Sequence, residues 1–182
     1  MNRITRLSKI LQTCFWIWFA MMPTICILYW YTNGLASLKP IYDFNLIPIT
    51  SDAIKPIAEM NISTRIMGMF VSLLPVIIDM LAIYSVIRLF RHFAKNEYFT
   101  AGTVFWIQRA ALFLLLNQLI YPVYTGLLSL VLTIQNPPGQ RMISFALGDQ
   151  QLTLTIVALT ILLISWIMEE GRKINEDLEG TV

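Results

Sequence analysis

Residues 65–88 read RIMGMFVSLLPVIIDMLAIYSVIR, an apolar run from Ile66 to Ile87 that is bounded by Arg65 and Arg88 and interrupted by one charge, Asp79. A helix needs about 20 apolar residues to cross the hydrocarbon core of a bilayer, so this stretch has the length of one span. Three further runs share its character: residues 11–32, without a charge; residues 110–134, carrying the polar pair Asn117 and Gln118; and the shorter, uncharged 152–168. Only helices and closed barrels satisfy their backbone polar groups in lipid. None of the four runs alternates in the ten-residue manner of barrel strands. The expected fold is all-α, an integral membrane bundle of four transmembrane helices forming a single domain over residues 1–182.

The rest of the composition agrees. Of 182 residues, 57% are hydrophobic and 13% charged, and the mean hydropathy is +0.65. Too few ionised groups remain to cover a water-soluble surface. A soluble enzyme, a disordered regulator and a nucleic-acid binder are therefore excluded, and a net charge of +2 is too small for a nucleic-acid footprint. Cys14 and Cys26 stand twelve residues apart in one run, about 18 Å along a helix, too far to pair. The single histidine, His92, rules out a bis-histidine haem and leaves no zinc set. No HExxH, phosphate loop or GxSxG is present. The expectation is a non-enzymatic chain without cofactor or metal.

Orientation follows from the cations. Arg3, Arg6 and Lys9 precede the first run, Arg88, Arg91, Lys95 and Arg109 lie in the 88–109 connection, and Arg172 and Lys173 follow the last run. The opposite side holds Lys39, Lys55, Arg65 and Arg141, so the count is nine against four. The excess places both termini and the middle connection in the cytoplasm. The first run, at 22 residues, is longer than a signal-peptide core and ends in the aromatic Tyr29-Trp30-Tyr31, which reads as an uncleaved anchor.

The connections carry most of the remaining information. The 33–65 loop has Pro40, Pro48 and Pro56 at eight-residue intervals and reads either as a lid or as a plain tether. In the 88–109 connection, helix two is expected to run to about Lys95, Asn96 to take the left-handed conformation that ends it, and Thr100 to cap the next helix. Arg88, Arg91, His92, Phe93, Phe99 and Trp106, with Phe90 and Phe105, suit a segment lying in the interface or a surface for a cytoplasmic protein. Gln135-Asn136-Pro137-Pro138-Gly139 reads as a turn. The tail is expected to extend as a solvated helix with pairs Glu169–Lys173 and Arg172–Glu176.

Polar groups at membrane depth form the second candidate site. Asp79 is nine residues before Arg88, Gln118 nine beyond Arg109, and Thr160 nine before Glu169. Each therefore lies about 13 Å inside the boundary. Asp79, Asn117, Gln118 and Thr160 would share one layer, with Thr153 and Thr160 as an inward stripe. The layer reads either as a structural hydrogen-bond network or as a proton or ligand site. Pro23, Pro75 and Pro122 also fall at one level. They would kink their helices toward a cavity near Thr24, Tyr121 and Tyr124, or are the ordinary prolines of spanning helices.

Three passages together resemble one family. They are Leu89-Phe90-Arg91 with Asn96-Glu97-Tyr98-Phe99-Thr100, then Asn136-Pro137-Pro138-Gly139-Gln140-Arg141, then Trp166-Ile167-Met168-Glu169-Glu170 with Asn175-Glu176-Asp177. Between Gly68 and Asp177 the chain resembles the bacterial four-span membrane family known as domain of unknown function 2975. It departs from the usual Gly-Glu-x-Phe by having Asn96. The resemblance implies a bacterial inner-membrane location, four helices and no assigned catalytic residue. Relatives beside small helix-turn-helix regulators imply regulation through a protein partner. The expected function is partner binding or regulation, with the lipid bilayer, a cytoplasmic protein and a second copy of the chain as partners and nucleic acid excluded. The alternative is a small proton-linked transporter or channel subunit that uses Asp79.

Overall fold

The structure, a computed structural model, describes residues 3–32, 54, 57–145 and 148–179. Four helices carry the chain: α1 (Arg3–Tyr31), α2 (Ile62–Ala94), α3 (Ala101–Thr133) and α4 (Asp149–Glu179). A 3₁₀ turn, Ile57–Glu59, precedes α2, and no strand occurs among the described residues. Every helix is long and apolar enough to cross a bilayer. The protein is all-α and multi-pass.

The helices outrun the apolar runs. At 33 residues, α2 and α3 are each about 50 Å long, against about 30 Å of hydrocarbon. Arg65, expected in the 33–65 loop, instead lies in the first turn of α2, because the helix starts behind Asn61, whose carbonyl accepts the Arg65 N–H at 3.1 Å. Pro40, Pro48, Pro56 and the lid reading fall outside the described residues.

Burial runs opposite to that of a water-soluble protein. Ser72, Thr103, Thr125, Ser129, Thr133 and Ser165 have no exposed surface, whereas Phe70, Leu119, Ile156 and Ile167 are each more than 60% exposed. Lipid is as apolar as leucine, so large side chains gain nothing by hiding from it. Small hydroxyl residues let helices approach closely and return their O–H to the backbone. Thr133 donates to the Ser129 carbonyl at 2.8 Å and Ser165 to that of Leu162 at 2.6 Å.

The chain divides into two compact units. The first comprises Met1–Ala20, Ile78–Gln118 and Asp149–Val182. In it Phe15 stacks on Phe90 at 5.7 Å, and Tyr84 meets Trp106 edge-on at 6.0 Å. The inward face of α4 runs Gln151, Thr155, Ala158, Leu162, Ser165, Glu169, Arg172. Its alternating spacing of four and three is that of a helix seam. At its end Arg172 bridges Glu169 at 2.8 Å and also Glu176, and Lys173 reaches Glu170 at 3.8 Å. The expected Glu169–Lys173 pair is thus replaced, because the forked guanidinium serves both neighbours on its own face.

The second unit comprises Met21–Ile77 and Leu119–Gly148. Trp30 is buried, donates its indole N–H to Ser72 at 3.2 Å and lies flat on Gly68. Arg65 donates to the terminal carbonyls of α1 at Trp30 and Tyr31, where helix carbonyls lack partners and a cation is favoured. After α3, Pro137–Gln140 form a tight turn closed at 3.0 Å, with Gly139 at φ +95°. Proline followed by a positive-φ glycine is the pattern of a type II turn. The chain then returns along α3, the Met142 and Ser144 N–H groups bonding to Thr133 and Ser129 hydroxyls at 3.2 and 2.9 Å. Pro23, Pro75 and Pro122 all lie inside helices of this unit, each deleting one i to i−4 bond.

Candidate functional site

Helices α2 and α3 bring Asp79 and Asn117 together. The Asn117 side-chain amide donates to Asp79 Oδ1 at 2.6 Å, and both residues are half-buried. Gln118 does not join them. One residue further turns its side chain 100° around α3, and its amide makes only a long 3.5 Å contact with the Leu114 carbonyl. Thr160 is exposed and donates to the Ile156 carbonyl of its own helix at 2.8 Å. Thr153 is likewise exposed and bonded to Asp149. The expected Thr153–Thr160 stripe therefore faces outward, because the inward face of α4 passes through Ala158 and Leu162. The four-residue layer reduces to a pair.

That pair is short of donors. Asn117 Oδ1 is buried and has no partner among the described residues. The amide thus spends its N–H on the carboxylate while its own oxygen stays unmet. A proton or a small cation would supply what is missing. Among the described residues no three metal-ligating side chains cluster.

The α2–α3 connection is a short built turn between Ala94 and Ala101. Asn96 has φ 64°, with Glu97 N–H bonding back to the His92 carbonyl and Asn96 N–H to that of Phe93, both at 3.1 Å. This bond pair is the Schellman arrangement that closes a helix. Thr100 caps α3, its hydroxyl accepting from the Thr103 N–H at 3.3 Å, and Thr103 donates to the Glu97 carbonyl at 2.7 Å. Thr5 of α1 donates to Asn96 Oδ1 at 3.3 Å, and the Tyr98 hydroxyl reaches the same oxygen at 3.0 Å.

The six patch residues separate into four settings. Arg88 is held at 5.7 Å over Trp106 and donates through Nε to the Tyr84 hydroxyl at 2.7 Å. His92 Nδ1 meets Glu97 Oε2 at 2.6 Å. A carboxylate only accepts, so that nitrogen carries the hydrogen. Phe93 packs between Phe90 and Tyr98. Arg91 and Phe99 remain exposed, Phe99 by 72%. Sequence reading missed Tyr84, Glu97 and Thr5. The first two were within reach, since Tyr84 stands four residues before Arg88 and Glu97 five after His92. Nothing local marked Thr5, ninety-one residues from its partner.

Residues 30–182 match the family described as Protein of unknown function (DUF2975). No curated protein and no solved structure matches the chain.

Proposed function

We propose, from the premise that this chain belongs to the DUF2975 family, a non-enzymatic role in the bacterial inner membrane: docking a cytoplasmic protein at the α2–α3 turn. The nine-to-four distribution of Lys and Arg supports this placement, with both termini inside. One observation carries the reading. Phe99 is 72% exposed on a turn whose neighbours are fixed by the Asn96 closure, the Thr100 cap and the His92–Glu97 pair. An aromatic held out on a rigid support keeps the entropy cost of binding low. The test is a photo-crosslinking amino acid placed at Phe99 or, as control, at Ile143, 60% exposed in the α3–α4 connection. Position 99 is expected to yield a discrete cross-linked protein from native membranes and position 143 none. Absence of any adduct at 99, or the same adducts at both, would contradict docking there.

A second reading rests on the donor-poor pair. Asp79 with the unmet oxygen of Asn117 would pass protons, and four spans enclose so little room that a homo-oligomer would form the path. In proteoliposomes, a proton flux present with the native chain and lost with Asp79→Asn supports this reading. A flux unchanged by Asp79→Asn removes Asp79 from the path.

A further inference from the structure

A second feature near the α2 end has no part in that docking. On α2, Tyr84, Ile87, Arg88 and Arg91 share one face at i, i+3, i+4 and i+7. With Gln12 and Trp16 of α1 they line a cavity of about 210 Å³. A water molecule takes about 30 Å³ of liquid volume, so the space holds a group much larger than one water.

Its lining is cationic without a counterion. The Arg88 guanidinium is fixed by its bond to Tyr84 and lies 5.1 Å over the Tyr84 ring and 5.7 Å over Trp106. Nε is spent on that bond, and the four N–H of the two Nη groups have no protein acceptor among the described residues. Nor does Arg91, and no described carboxylate lies within 4.0 Å of either guanidinium. Glu97, six residues beyond Arg91, is held by His92 at 2.6 Å. Tyr84 accepts from Arg88, which leaves its own O–H free to donate, and Gln12 adds an amide.

Position along the helices selects the ligand. Gln12 follows Lys9 by three residues, and Arg88 follows directly on the apolar run that ends at Ile87. The cavity thus lies where apolar spans give way to charge, with Trp16 and Ile87 on its apolar side. Phospholipid phosphates occupy that level, and paired guanidinium forks match phosphate oxygens. We propose that this cavity binds the phosphate of an anionic phospholipid, held by Arg88 and Arg91 with Gln12 and Tyr84 as further donors. The site is distinct from docking at Phe99 and does not depend on it.

The test is native mass spectrometry of the purified full chain in detergent, offered phosphatidylglycerol or phosphatidylcholine. The native chain is expected to retain phosphatidylglycerol preferentially. Arg88→Gln/Arg91→Gln should lower that retention about tenfold, the scale of losing a charge-assisted hydrogen bond. Gln12→Glu, which places a competing carboxylate in the cavity and leaves the α2 contacts intact, should do the same. Lys95→Gln/Arg109→Gln removes the same charge elsewhere and should leave retention unchanged. Equal retention of both lipids, or an equal loss in the Lys95/Arg109 control, would overturn the proposal. Full displacement of phosphatidylglycerol by equimolar inorganic phosphate would overturn the lipid assignment in favour of the free ion. Lipid retention needs no protein partner, so its failure is separate from failure of the cross-link at Phe99.

Discussion

A methyl group added at Gly68 would fall 2.2 Å from Trp30 Cη2, inside a ring that is itself buried and bonded to Ser72. Nothing lies within 4 Å of the same group at Gly171 on α4. The two alanine substitutions should therefore have opposite signs. Gly68→Ala is expected to cost about 1–3 kcal/mol through overpacking, while Gly171→Ala gains up to about 1 kcal/mol of helix propensity. Thermal unfolding in detergent, followed by circular dichroism, reads both, and a Gly68→Ala melting point at or above the native one would refute the packing account. Asp79 and Asn117 were legible at this scale because counting residues from Arg88 and Arg109 gives height along an axis. Thr160 shows the limit of the same count. A count of residues says nothing of the angle around the helix, and Thr160 stands two residues, about 200°, from the inward Ala158.

Among the elements, the α2–α3 turn was the most readable from sequence. Asn96, Thr100 and the approximate end of α2 follow from backbone chemistry confined to a few residues. At φ 64° a β-branched side chain collides with the backbone. Asn96→Val should therefore cost about 1–2 kcal/mol. Asn96→Gly, which accepts that φ but loses the bonds from Thr5 and Tyr98, should cost less. Detergent melting curves should rank native above Gly and Gly above Val; a Val variant as stable as Gly would show that the left-handed turn is not what fixes this end. The contacts made by the aromatic residues around Phe93 and Trp106 were not legible for a related reason. Aromatic and basic residues mixed at a boundary suit either a flat interfacial helix or a packed hairpin end, and only partners distant in sequence, such as Phe15 for Phe90, decide between them. The return of Met142 and Ser144 onto the hydroxyls of α3 was equally silent, since Thr133 and Ser129 look like ordinary small residues in an apolar run.

For the molecule as a whole, four helices long and apolar enough to span, with hydroxyl residues buried and many large apolar side chains exposed, have the character of a multi-pass membrane protein. Fold class was legible from run length alone, because the bilayer fixes how many apolar residues a crossing takes. The placement of ends and turns relative to the membrane is the central claim built on that fold, and it rests on an even number of crossings and on the distribution of Lys and Arg. It is tested most directly by cysteine labelling. With Cys14 and Cys26 replaced by serine, single cysteines are introduced at Lys95, Gln140 and Lys173, and intact inverted and right-side-out vesicles are treated with a membrane-impermeant maleimide. The account predicts labelling of positions 95 and 173 from the cytoplasmic side only and of position 140 from the opposite side only. Labelling of positions 95 and 173 from opposite sides, or of position 140 from the same side as both, would contradict it.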